Sequence, residues 1–478
     1  MSVSVADTDL YVQEAELRMP FHFGNVHMHD CSRILVETTA EFDGATERGH
    51  GMGAIVPMWF LKRPGMGLDE GIDALVTAVE HAANLAKGVP EHESVFAFWH
   101  NLYARQAKWG ESSPYPPLLT QYGTSIVEQS LVDGYCRFES VSFPEAVCEN
   151  LLGTDLGTIH PELAGTEPRT YLPEEPRRQV AVRHTVGLTD PLTEADIPAE
   201  ERLDDDLPQS LEAVIEQQGV DHFKIKIEAD VETDRERLRA IAALVEDYHD
   251  EYVFSLDANE QYGTVSAFRK QWETITADPE LTKFLDHLLY VEQPLDRDHA
   301  FGAKTRAELT AWDDAPPVII DESDDALDSL PRALDHGYAG TSHKNCKGVF
   351  KGIANRCLLE YRRESGDASD GYVMSAEDLT TIGPIEVQQD LAVVATLGIN
   401  NVERNGHHFL QGLSMYDERI QEATLDAHPD LYRRHEDGYP MLDITDGEVR
   451  IDSVVDAPFG CAIDIDTAVF TSLSEWRP

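Results

Sequence analysis

A chain of 478 residues, 42% hydrophobic and 26% charged, carries enough apolar surface for one or two large cores. Its 38 Lys and Arg stand against 88 Asp and Glu, a net charge of -50, which argues against nucleic acids and membranes as partners. The acidity runs the whole length between frequent apolar segments, so it reads as the surface of a folded, salt-adapted protein rather than as a disordered tail.

The first segment, 1–178, mixes strands and helices. "ILVETTAEFDGATERGHGMG" (34–53) reads as strand, turn, strand, and helical stretches follow near 68–88, 92–108 and 119–134. The Pro- and charge-rich "PRTYLPEEPRR" (168–178) marks a boundary.

An alternating rhythm then sets in over 179–410. Strands are predicted at 180–187, 222–227, 253–259, 288–294, 318–323, 340–346, 372–378 and 401–405. Helices are predicted between them at 210–219, 234–248, 265–286, 303–312, 326–337 (with an awkward Pro331), 349–364 and 383–397. Eight strands and seven intervening helices over about 225 residues match a parallel (β/α)7β barrel of the TIM type. A doubly wound open sheet is the runner-up, but "HTVGLTDPL" after the first strand is not its Gly-rich phosphate loop. The tail, 411–478, ends in "GEVRIDSVVDAPFGCAIDIDTAVF", which has strand character and is expected to return to the N-terminal domain.

The chain holds only 11 lysines, yet two of them, Lys224 and Lys226, share one face of "HFKIKI". In a barrel that face points inward, where mutual repulsion and lost hydration should lower both pKa values and make a base. The bland alternative is a pair of lysines snorkelling at a strand end or paired with carboxylates. The next three strands each carry an acid near their C-terminal end: Asp257 in "SLDAN", Glu292 in "YVEQP" and Asp321 in "IIDES". Active sites of such barrels sit at that end, and three adjacent acids call for a hard divalent cation, Mg²⁺ or Mn²⁺ in its place. Each acid alone could instead cap a helix. The sixth strand brings "SHKNCKG", so Lys344 faces the site across the barrel from Lys226, while His343 points outward. Two bases flanking a metal-bound carboxylate suit removal of the proton next to the carboxylate, the extra charge falling on the carboxylate oxygens.

"KIK", "DAN", "VEQP", "DES" and "HKN" together resemble the enolase superfamily, its muconate-lactonising branch (mandelate racemase/muconate lactonizing enzyme-like) in particular. That superfamily's Lys base and Mg²⁺ are a standard example of tuned acid–base chemistry. The resemblance implies an α+β capping domain built from the N-terminus and the C-terminal tail. It implies Mg²⁺ held by Asp257, Glu292 and Asp321, Lys226 and Lys344 as opposed acid and base, and Lys224 assisting. The implied reaction forms a metal-stabilised enolate from a small carboxylate substrate, followed by racemisation or epimerisation, β-elimination or cycloisomerisation. Substrate contacts are expected from Asn259, Glu377, and Glu403 or Arg404. The cap's first loops, 21–30 and 47–59, are expected over the barrel mouth, with His22, His27, His29, His50 and Met52 as candidates to line it.

A rival reading starts from His27-Met28-His29, the HxH of a metal-dependent amidohydrolase barrel, though no histidine appears on strand five. A catalytically inactive binding protein is the non-enzymatic alternative. Six cysteines, Cys31, Cys136, Cys148, Cys346, Cys357 and Cys461, are scattered without a CxxC pair, which points to reduced thiols. No apolar run reaches the ~18 residues of a membrane span and no signal peptide is recognised, so a soluble cytoplasmic homo-oligomer is expected.

Overall fold

The computed structural model describes the chain except residues 24–25, 63–64, 367–370 and 477–478 and the side chains of 21–27. The candidate pocket histidines His22 and His27 therefore have side chains outside the described residues.

The N-terminal part is built on an antiparallel sheet in which β1 (Val3–Gln13) pairs with β4 (Arg33–Phe42), and β4 with β5 (Ala45–Ala54). Between them, β2 (Glu16–Phe23) and β3 (Val26–Asp30) form a separate hairpin. Helices Leu68–Ala86, Val95–Gly110 and Pro117–Glu139 follow, as the apolar periodicity requires. "RGHGMG" has a packing reason. A Cβ on Gly49 would sit 2.0 Å from Ser130 O, and one on Gly51 2.2 Å from Ile126 O. Only glycine lets β5 press against helix Pro117–Glu139. The expectation of a loop over 47–59 is thus corrected: 45–54 is strand, and the mouth is approached by the segment after it.

The barrel strands are β6 (Gln179–Val186), β7 (His222–Lys226), β8 (Val253–Asp257), β9 (Leu288–Glu292), β10 (Val318–Ile320), β11 (Gly340–His343), β12 (Val373–Ala376) and β13 (Asn401–Glu403). β6 to β12 pair in parallel in sequence order, β13 pairs back onto β6, and β12 touches β13 to complete the ring. Each predicted helix is present, with the 265–286 stretch divided into Val265–Thr276 and Thr282–Leu285. The start and stop signals are physical. Ser210 accepts the N–H of Ala213 and Gly219 ends the same helix at φ +69°. Pro331 falls in the first turn of Ser329–Asp335, where its missing N–H costs nothing.

The tail departs from its predicted strand character. Glu448–Arg450 pairs antiparallel with β6, and Thr471–Ser472 pairs with β1, but the stretch between holds the short helix Asp452–Asp456 and coil. Its apolar residues anchor singly instead of alternating: Phe459 packs on Phe143 of the N-terminal part with ring centroids 4.8 Å apart. Among the described residues no helix is long and apolar enough to cross a membrane.

Candidate active site

The strand register places the key residues side by side at the C-terminal ends of β7, β8 and β9: Lys226 opposite Asp257, and Asp257 opposite Glu292. Asp321 follows the last residue of β10, and Lys344 the last of β11. All are buried or nearly so, with 14% of the Lys226 side chain exposed.

Lys224 and Lys226 share the inward face of β7, while Phe223 and Ile225 are buried on the other. Lys224 Nζ donates to Glu377 at 2.6 Å and to Glu292 and Glu403 at 3.1 Å, and lies 3.2 Å from Asp257. Lys226 Nζ donates to Asp257 Oδ2 at 2.6 Å and Asn259 Oδ1 at 2.8 Å. Lys344 Nζ donates to both oxygens of Asp321 at 2.8 Å. Lys347, three residues on in the turn Asn345–Lys347, reaches Asp321 Oδ1 at 2.9 Å and the Ser342 carbonyl at 2.7 Å.

These contacts overturn the expected lowering of the Lys224 pKa. Burial pulls Lys224 and Lys344 down, but the carboxylates around them outweigh it and hold both above the ordinary lysine value. The repulsion of the second lysine is outweighed at Lys224 by the acids that four other strands bring to it. Burial works to raise Asp321, yet Lys344 and Lys347 hold it well below its usual range. Burial is likewise overcome by Lys226 and Lys224 at Asp257, and chiefly by Lys224 at Glu403, which falls to about 2. Glu292 goes the other way, pushed well up by burial and by the charges of Asp257 and Glu377.

The three acids do not cap helices. The residues at those positions are Thr264, Gly302 and Asp328. Asp257 Oδ1 instead accepts the N–H of Asn259 within its own turn, at 2.9 Å. Among the described residues no three acids, histidines or cysteines turn their ligand atoms on one point that a metal ion could occupy, because lysine ammonium groups stand between the acids. Lys224 lies against Asp257 and Glu292, and Lys344 against Asp321. The donor set still fits a hard divalent cation: oxygen ligands on adjacent strand ends, with Glu292 pushed up by burial and then by the negative charge of its neighbours.

The remaining candidates divide. Asn259 and Glu403 line the cleft, together with Val56, Trp59, Leu379 and Asn405. Glu377 is tied below it to Lys224 and Arg183, and Arg404 turns away to Asp390 and Thr381. His50 is a correction. Its Nε2 is 3.0 Å from Glu37 and its N–H is donated to Asp133, so it braces β4, β5 and helix Pro117–Glu139 within the cap. Burial would lower it, but Asp133 and Glu37 hold its pKa up. His29 is exposed on β3, and Met52 lines a neighbouring pocket beside Lys344. The HxH of the rival reading lies on β3 of the cap hairpin and not at the end of a barrel strand, which removes that reading's starting point. His343 faces away from the cleft and meets Asn345 Oδ1 at 3.0 Å.

Sequence reasoning missed Gln293, whose Oε1 accepts the N–H of Asp321 at 2.8 Å and of Ser323 at 3.1 Å. Its signal was present in "VEQP", where Gln follows the strand-end acid at a position held at φ +36°. It also missed Trp59, which has no periodicity to betray it.

Comparison with known proteins agrees with this architecture. Residues 206–343 match the family model described as enolase C-terminal domain-like. No curated protein matches the chain. Among solved structures, a muconate lactonizing enzyme from Mycobacterium smegmatis, complexed with muconolactone, aligns with a TM-score of 0.56 at 18% identity. It covers 98% of this chain and 100% of its own. An enolase from Bradyrhizobium complexed with magnesium and mandelic acid has TM-score 0.55 and 15% identity over 97% of this chain and 96% of its own. A dipeptide epimerase from Enterococcus faecalis, complexed with Mg and a dipeptide, has TM-score 0.57 and 14% identity over 96% and 99%. The fold is that of the capped barrels of the enolase superfamily. The resemblance to its mandelate racemase/muconate lactonizing branch, first carried by five short motifs, is borne out by the family match over 206–343, and these neighbours share the fold.

Proposed function

We propose that this protein is an isomerase or lyase that removes the α-proton of a small carboxylate substrate with the help of Mg²⁺. The observation that carries the reading is that Lys226 and Lys344 line one cleft, while Asp257, Glu292 and Asp321 sit at the ends of the three strands between theirs. Asp257, Glu292 and Asp321 would hold the ion. When bound it supplies positive charge beside the substrate carboxylate and lowers the cost of the negative charge that proton loss puts there.

The chain's own residues do the rest. Lys226, anchored by Asp257 and Asn259, accepts the α-proton at Nζ, and the electron pair passes to the carboxylate oxygens. Lys344, kept protonated by Asp321, returns a proton to the opposite face. Atoms balance, and the product is the substrate's mirror configuration at that carbon. Trp59 over Lys344 and the buried strand ends keep bulk water out. Loss of a β-substituent or ring closure would branch from the same intermediate. The mandelic acid, muconolactone and dipeptide held by the three neighbours all suit a small acid substrate. In the same reading the enzyme works in a salt-rich cytoplasm, where its charge of -50 is screened.

The test is deuterium incorporation from D₂O into a set of carboxylic acids with Mg²⁺ present. Lys226→Ala and Lys344→Ala should each abolish exchange from one stereochemical face. Full exchange in both variants would refute the pair.

A further inference from the structure

The cleft has an apolar wall contributed by the cap. Trp59 is 4% exposed, in the short helix Pro57–Phe60, and its ring centroid lies 5.0 Å from Lys344 Nζ. Val56 and Leu379 extend the same wall. The rest of the lining is polar or acidic: Asn259, Asn405, Thr380, Asp378 and Glu403 beside Asp257, Asp321 and the lysines. Among the described lining residues the only cations are Lys224, Lys226 and Lys344, and each already faces a carboxylate.

The wall is held from the barrel. Arg297 Nη2 donates to the Trp59 carbonyl at 3.1 Å and Nη1 to the Phe60 carbonyl at 3.2 Å. Its Nε is fixed by Glu260 Oε1 at 2.6 Å. Lys62, from the cap, pairs with the same Glu260 and lies 3.5 Å from Glu322. From the cap side, Phe60 packs edge-on to Trp59 and against Tyr122, both at 4.8 Å between ring centroids. The indole is therefore wedged rather than loosely laid over the site.

We infer that Trp59 is the specificity-determining residue of this cleft, that Arg297 is the positioning residue that seats it, and that the substrate is a monocarboxylate bearing a flat apolar group on its α-carbon. A carboxylate at the ion with its α-carbon between Lys226 and Lys344 must direct its substituent toward the ring beside Lys344. A flat apolar group gains burial and ring stacking there. A second carboxylate would meet Asp378 and Glu403, and would lose its hydration without a free cation to repay it. The inference rests on the proton-abstraction reading for the orientation of the acid.

The experiment measures calorimetric affinities for phenylacetate, propionate and succinate in Mg²⁺ on the full chain, together with α-deuterium exchange of each. The wild type should bind phenylacetate about tenfold more tightly than propionate or succinate. Trp59→Ala should lower phenylacetate affinity about tenfold more than propionate affinity, Trp59→Phe should keep most of the preference, and Arg297→Gln should follow Trp59→Ala. Circular dichroism and unfolding midpoints of all variants separate a lost wall from a lost fold. A wild type that prefers succinate or binds no phenylacetate overturns the inference, as does a Trp59→Ala variant that keeps the preference. Preference without exchange sinks the proton-abstraction reading and leaves the subsite standing. Exchange that ignores Trp59 does the reverse.

Discussion

At Lys224 one ammonium answers four carboxylates, those of Asp257, Glu292, Glu377 and Glu403. Removing one partner of a buried ion pair leaves uncompensated charge, which costs about 3–5 kcal/mol. Lys224→Met should therefore lose roughly that much stability in urea titration, and adding Glu377→Gln to it should recover part of the loss. A Lys224→Met variant as stable as the wild type would show that the acids are neutralised in some other way. The residue identities of this site were legible because lysine is rare in the chain and acids at successive strand ends are conspicuous. The charge states were not. They depend on Glu377 and Glu403, far off in sequence and close only once the ring of strands closes, and so the expected depression of Lys224 came out with the wrong sign.

Among the elements, the turn Asn345–Lys347 and helix Val349–Glu364 link the candidate site to the cap. Glu128 of helix Pro117–Glu139 accepts the N–H of Phe350 at 2.6 Å, and so caps a barrel helix from another part of the chain. Burial, only partly offset by the backbone N–H groups of Phe350 and Val349, pushes Glu128 up to about 8. Because the folded state holds this proton more tightly than the unfolded chain, the contribution of Glu128 is full below pH ~4.5 and lost as pH rises toward 8. Glu128→Gln keeps the acceptor and cannot ionise. Its stability relative to wild type should rise steadily across that interval and level off above it, as urea midpoints over a pH series would show. A constant difference across the series would mean that Glu128 is ionised throughout. Helices and barrel strands were legible from periodicity and caps to within a few residues. β10 is shorter than predicted because Gln293 takes the N–H groups of Asp321 and Ser323, which bends "DES" out of the ladder. That is a contact 28 residues away in the chain, and "VEQP" shows the glutamine without showing which segment it reaches.

For the whole molecule the dominant quantity is the charge of -50 on 478 residues. Self-repulsion of that size destabilises the compact state at low ionic strength and is screened as the Debye length falls from ~10 Å at 0.1 M to ~3 Å at 1 M salt. The thermal midpoint should rise by at least several degrees, on the order of 5–10 °C, between 0.1 and 2 M KCl. A flat or falling midpoint would remove the salt-adapted reading.

What the amino-acid order determined by itself was everything local or periodic: the strand–helix alternation, the capping residues, the acid at each strand end and the shared face of Lys224 and Lys226. Backbone geometry forces those outcomes within a few residues of their cause. The tertiary structure alone decided which acid meets which lysine, that His50 braces the cap while Trp59 walls the cleft, and that the tail pairs with both β6 and β1. Those outcomes depend on burial and on contacts between distant segments, whose energies exist only after the chain has closed on itself.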